Sequence, residues 1–311
     1  MKNDLNENIL NESLREEFID LKEIFKVIWQ SKLLLSSIVI LFFLASAIYS
    51  LNLPNIYQSS ALLSPTSKEN TNMMSNYSSL AGLAGINLNS QSGGANEVKA
   101  IEKLNTLSFF TDNILPNIFL PDLMALDYWD AKTNSIIYNE NIYNIKSQKW
   151  VRDTESPHTQ TPSSQESFRV FKNHLSISEN ANNNFINISV KHQSPFIAHE
   201  WTKMIVEEIN NYFRVKDKIE AQASIDYLNM QISKTSFTEI KQVIAQLLQQ
   251  KTQTLTLIEV NDLYVFEYID PPVVMEKKIG PKRFIMCIFG TFLGIILGTL
   301  IVLCRHFFRE Q

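Results

Sequence analysis

Apolar and polar positions fall into three regimes along this chain. Residues 33–53 (LLLSSIVILFFLASAIYSLNL) and 284–304 (FIMCIFGTFLGIILGTLIVLC) are continuous apolar runs without a charge. Each is roughly 21 residues, the length with which a helix crosses a ~30 Å hydrocarbon core with all its backbone groups paired. Between them the pattern is that of a water-soluble domain. Residues 56–63 are β-prone and stop at Ser64 and Pro65. Residues 66–96 turn rich in Asn, Ser and Gly, a loop pattern. Gly82 and Gly85 inside it lack the Lys-Ser/Thr that a phosphate loop requires. Residues 97–113 read as a helix with Val98, Ile101, Leu104 and Leu107/Ser108 on one face. Residues 114–166 are irregular, aromatic and punctuated by Pro116, Pro121, Pro157 and Pro162, and a short helix starts near Phe168.

Further on, residues 175–178 and 185–190 alternate apolar with polar around an Asn-rich turn, the pattern of a β-hairpin with one wet face. Ser194 followed by Pro195 is a helix start. No Gly or Pro occurs from Phe196 to Asp270, and a helical apolar stripe runs through Trp201, Ile205, Ile209 and onward to Ile258. A continuous helix over 195–258 would extend roughly 95 Å; residues 233–238 (SKTSFT) and 252–256 are its weakest points. Residues 263–269 form a last strand, stopped by Asp270, Pro271 and Pro272. The fold class expected is α+β: two transmembrane helices flanking a membrane-proximal α/β domain with a long extended helix. Strand 56–63, hairpin 175–190 and strand 263–269 would form its sheet. The segments are 1–32 as N-terminal tail, 33–53 as first span, 54–283 as extramembrane domain, 284–304 as second span and 305–311 as C-terminal tail.

Charge orients this layout. Lys22, Lys26 and Lys32 precede the first run and no Lys or Arg follows it until Lys68, which places both termini in the cytoplasm. The second run is biased the other way, by Lys277, Lys278, Lys282 and Arg283, but the first span usually dominates. A signal-peptide reading, with Ala45, Ser46 and Ala47 as a cleavage site, conflicts with the long acidic leader and with the apolar residues beyond the alanines, so the run reads as a retained anchor. Residues 18–29 are amphipathic, suited either to the membrane surface with Trp29 at the headgroups or to a helical extension of the span. The net charge of −4 includes no basic block, so nucleic acid is not an expected partner. Both cysteines, Cys287 and Cys304, lie in the second run, leaving the middle domain without disulfides.

The chemistry expected is that of packing and surfaces. Gly290, Gly294 and Gly298 line one face of the second run and permit close approach of another backbone: the first span (which offers Ser46 and Ser50), a second copy or another protein. Pro271, Pro272 and Pro281 stiffen the junction before that run, and Lys277, Lys278, Lys282 and Arg283 are placed to meet lipid headgroups. The five histidines make no paired-ligand spacing, and no HExxH, GxSxG, Walker A or GxGxxG occurs. His199 reads as a core or interface histidine, and Glu207 and Glu208 as a solvated helix face. No enzyme activity and no cofactor or metal is expected.

The series IDLKEIFKVIWQSK, YQSSALLSP, AQASIDYLNMQISKT and EYIDPPVVMEKKIGPKR, ending in the Gly-spaced run, resembles the Wzz-type chain-length determinants, or polysaccharide co-polymerases, of bacterial inner membranes. The resemblance covers nearly the whole chain and is most specific at Pro271, Pro272 and Pro281. It implies a periplasmic domain with projecting helices, a homo-oligomer and a non-catalytic role. That role is to set how many repeat units a Wzy-type polymerase adds to a lipid-linked O-antigen, hence in lipopolysaccharide biosynthesis. The partners implied are self, that polymerase, the lipid-linked glycan and inner-membrane lipids. The chain ends at Gln311 without a tyrosine-kinase domain, which matches the kinase-free class. The rival reading is a periplasmic adaptor of a polysaccharide or small-molecule export system, which would pair its helices as a strict-heptad hairpin. An extracytoplasmic sensor would need a larger cytoplasmic portion than 1–32.

Overall fold

The structure is a computed structural model that describes residues 27, 29–66, 95–261 and 263–310. Most of the amphipathic stretch 18–29 and most of the loop 66–96, with Gly82 and Gly85, lie outside the described residues. The chain divides into two compact units, Ile56–Lys278 and the paired segments Met1–Asn55 and Ile279–Gln311.

In the paired segments, α1 (Lys32–Asn52) and α7 (Arg283–Glu310) are long and apolar enough to cross a membrane. Their apolar side chains point outward, with Leu33 81% and Phe284 79% exposed, so neither resembles the core helix of a soluble protein.

The other unit holds a four-stranded antiparallel sheet, order β6-β7-β1-β8, from β1 (Tyr57–Pro65), β6 (Leu175–Asn180), β7 (Phe185–His192) and β8 (Phe266–Asp270). Alternation fixes its faces: Ala61 and Leu63 of β1 and Ile186, Ile188 and Val190 of β7 are buried, while Leu62 and Asn187 point to the opposite face. The β6–β7 turn closes with Asn184 at φ 55°, a conformation asparagine tolerates. On the buried face lies α5 (Pro195–Lys234), begun by Ser194, whose Oγ accepts from the Ile197 N–H. Trp201, Ile205, Val206, Ile209 and Phe213 supply its contribution to the core.

Several expectations change. The stretch expected as one helix over 195–258 is two, α5 and α6 (Thr238–Val260), separated at Thr235, Ser236 and Phe237. Thr235 and Phe237 have extended backbone, and this hydroxyl-and-aromatic triplet favours a break. The chain reverses there: Lys218 Nζ lies 2.8 Å from Glu259 Oε1, so α6 returns antiparallel along the distal part of α5. The reversal buries Ala221, Ile244 and Ile258, whose apolar surface a lone rod would expose.

The helix expected over 97–113 is also broken. The helix α2 (Ala95–Leu104) ends before Thr106, whose extended backbone and Oγ1 cap a new turn by accepting from the Phe109 N–H at 3.2 Å. A π-helical turn, Phe110–Ile114, follows. Across residues 97–114 the buried apolar side chains are Ala100, Leu104, Phe109, Phe110 and Ile114, whereas Val98 is exposed. The last strand starts at Phe266 rather than 263, for a reason given below.

The region read as irregular carries short order: α3 (Leu120–Met124), the ladder β2 (Leu126–Asp130) with β3 (Ser135–Tyr138), and the ladder β4 (Tyr143–Asn144) with β5 (Lys149–Trp150). Then α4 (Ser164–His174) begins at Ser163, whose Oγ accepts from the Glu166 N–H. The Arg152 guanidinium makes a two-pronged pair with Glu166 and donates to the carbonyls of Thr159 and Gln160, fastening residues 152–162 to the start of α4.

Candidate functional site

Gly290, Gly294 and Gly298 all face α1. A Cβ on Gly290 would overlap Ser46, one on Gly294 would lie 2.9 Å from Phe42 Cβ and 3.2 Å from the Val39 Cα, and one on Gly298 would lie 2.8 Å from Leu35 Cδ1. Descending α1 numbers against ascending α7 numbers make the pair antiparallel. Ser46 Oγ donates to the Met286 carbonyl at 2.9 Å, bridging the two helices. Of the occupants open to the glycine face, the one present in the structure is the first helix of the same chain. Ser50 is buried as well.

Arg283, expected at lipid headgroups, donates to the Leu53 carbonyl and to Asn55 Oδ1, both at 3.2 Å, and so ties the start of α7 to the end of α1. Lys277, Lys278 and Lys282 are exposed. Pro272 is buried and Pro271 exposed, and Pro281 follows Gly280 through a cis peptide. The segment after β8 continues antiparallel beside β1: Asp270 pairs with Leu62, and the Val273 carbonyl accepts from Ser59 Oγ at 2.8 Å.

Two buried polar groups organise the unit Ile56–Lys278, and neither was singled out by spacing or motif. Asn210, fully buried on α5, accepts at Oδ1 from the N–H groups of Tyr264, Val265 and Phe266 at 3.0, 2.7 and 2.9 Å. Its Nδ2 donates to the carbonyls of Phe266 and Val206. The backbone of residues 264–265 is thus held by a side chain, which is why β8 begins only at Phe266. The Tyr264 hydroxyl donates to Asp217, about two turns beyond Asn210 on α5, at 2.7 Å, and burial with that carboxylate pushes its pKa up.

The second group is His192, with no exposed surface. Its Nδ1 accepts from the Ser194 N–H at 3.0 Å and its Nε2 lies 3.2 Å from the Asp122 carbonyl, an arrangement that a neutral ring protonated at Nε2 satisfies. Burial drives its pKa down to about 4. His174 stands 5.9 Å away, ring to ring, its pKa also lowered by burial, and Trp201 packs on both rings. The Asp122 carboxyl, raised by burial, accepts from the Tyr138 hydroxyl at 2.5 Å.

These groups are saturated by packing and backbone bonds, and among the described residues no group of three or more His, Cys, Asp or Glu is arranged to hold a metal. His199 is half-buried on α5. Glu207 pairs with Lys203, and Glu208 accepts from Asn117 Nδ2, so both carboxylates work at the surface.

Surfaces remain. The helical hairpin exposes Ile219, Tyr227, Met230, Phe237, Ile240 and Val260, with Ile219 63% and Phe237 68% exposed. A cleft of about 300 Å³ opens at the turn end of β6 and β7, lined by Leu62, Ser178, Asn180, Phe185 and Asn187 among others. Its walls combine the apolar Leu62 and Phe185 with asparagine amides, the Ser178 hydroxyl and the Glu179 carboxylate.

Residues 17–108 match the family model "Wzz: Chain length determinant protein". Over that segment the resemblance read from the sequence is borne out. A search of curated proteins returns no match. Among solved structures the chain is similar to a full-length bacterial polysaccharide co-polymerase, at 14% identity and TM-score 0.40, covering 94% of this chain and 99% of that one. It is also similar to a fragment of WzzB, a polysaccharide co-polymerase from Salmonella Typhimurium, at 14% identity and TM-score 0.31, covering 73% of this chain and 100% of that one.

Proposed function

We propose that this protein regulates the chain length of a bacterial surface polysaccharide, acting without catalysis as a co-polymerase. The observation that carries the reading is the match of residues 17–108, which include the first apolar helix and β1, to the chain-length determinant family. The two outward-facing apolar helices support an inner-membrane protein with two spans. In this reading both termini are cytoplasmic and the unit Ile56–Lys278 is periplasmic, as the lysines before the first span favour.

The unit then works by contact. The hairpin of α5 and α6 supplies the exposed apolar surface with which copies associate into a homo-oligomer. A Wzy-type polymerase and its lipid-linked glycan, such as an O-antigen, are the partners that fit. The glycine face of α7 joins the two spans, Pro271, Pro272 and Pro281 hold the junction, and Lys277, Lys278 and Lys282 meet phosphate headgroups.

The export-adaptor reading is favoured by one observation, the helical hairpin. It is opposed by another: Lys251 stands midway between the buried Ile244 and Ile258, where a strict heptad seam requires an apolar residue. The arms are also unequal, 40 residues against 23.

Deleting the gene and separating the surface polysaccharide on a gel tests the proposal. A shift from clustered to random lengths is expected, and an unchanged distribution overturns it.

A further inference from the structure

We propose that an aromatic patch at the Tyr57 end of the sheet seats the unit Ile56–Lys278 in the headgroup layer of the bilayer. Tyr57 opens β1, and its ring meets Trp129 of β2 edge-on at 5.6 Å; Trp129 in turn lies 6.4 Å from Phe196 in the first turn of α5. Phe196 is 47% exposed, Tyr57 and Trp129 are half-buried, and the Trp129 indole N–H is taken by Asn134 Oδ1 at 3.0 Å. These side chains come from three elements far apart in sequence.

Chain path selects the occupant. The helix α1 ends at Asn52, so five residue steps of at most about 3.6 Å each carry the chain to Tyr57. At the other end the chain runs on from β8 in the same direction, antiparallel beside β1 toward its Tyr57 end, with the carbonyl of the exposed Val273 bonded to Ser59. Both connections to the apolar helices therefore leave this unit at the end that carries the aromatic rings. Tyr and Trp, apolar in body and polar at the tip, suit the membrane–water interface. Two short tethers make the contact effectively intramolecular, so a small patch suffices. The proposal rests on the reading that α1 and α7 span a membrane.

The test uses the full chain in nanodiscs of phosphatidylethanolamine and phosphatidylglycerol, with 5-fluorotryptophan incorporated and its four signals assigned by single Trp→Phe replacements. Lipid spin-labelled at the headgroup is then added. Trp29, beside the first span, and Trp129 are expected to broaden several-fold more than Trp150 and the core residue Trp201. Broadening of Trp29 without Trp129 overturns the proposal and leaves the membrane reading intact. Broadening of neither overturns the membrane reading and the proposal with it. A Phe196→Cys variant that cross-links to a second copy while Trp129 ignores the labelled lipid assigns the patch to self-contact, which also overturns the proposal.

Discussion

Asn210 shows how much a single side chain decides in this molecule. Its one carbonyl oxygen accepts from three consecutive backbone N–H groups, and its amide donates to two carbonyls, all buried. Replacing it with Leu leaves several buried polar groups without partners, at about 1–3 kcal/mol each. Asn210→Leu is therefore expected to lower unfolding stability by roughly 3 kcal/mol or more, read from denaturant midpoints. His192 sets a pH dependence. Its folded pKa of about 4 lies below the ordinary 6.5, so between these values the unfolded chain binds the extra proton. Stability from this residue is complete above pH 6.5 and is lost as pH falls toward 4, a span worth roughly 3 kcal/mol. A His192→Gln variant is expected to flatten the acid limb of the stability–pH curve; His174 and Glu166, also lowered, leave slope of the same sign, and Asp122, raised by burial, opposes it. Neither role is legible in the sequence. Asn210 sits in a helical stripe as one more polar position, and all its partners but Val206 lie more than fifty residues away.

At the scale of elements, the sequence reveals what local chemistry enforces. Ser194 with Pro195 starts α5, β-prone composition marks β1, and alternation marks β6 and β7, because the cause lies within a few residues. The break at residues 235–237 is legible only as a weak point, since whether the chain bends there depends on what the returning helix buries. A cysteine pair at Lys218→Cys and Glu259→Cys separates the two outcomes. In the hairpin it is expected to cross-link within one chain; a continuous helix would hold the positions roughly 60 Å apart. The ladders β2–β3 and β4–β5 escape a sequence reading because their strands are short and their support is aromatic contact between distant residues, such as Tyr143 with Phe119 and Trp150. The glycine face of α7 makes its own prediction. Gly294→Leu forces Cβ against the Val39 backbone, which cannot yield as a side-chain end would. It is expected to cost about 1–3 kcal/mol of helix packing, measured as a lowered melting temperature of the detergent-solubilised protein.

For the whole molecule, two apolar helices, a four-stranded sheet and a folded-back helical pair provide surfaces and no assembled chemistry among the described residues. The rival to length control, export, predicts a different phenotype. A regulator changes how many repeats each chain carries, whereas an adaptor changes how much polymer reaches the surface. The decisive measurement is therefore the distribution of repeat number per chain, taken together with total surface polysaccharide, in a deletion strain and in the same strain complemented with the gene. The account predicts a clustered distribution that decays to random lengths on deletion, returns on complementation and leaves total polymer nearly constant. A distribution of unchanged shape, with or without a fall in total polymer, would contradict it.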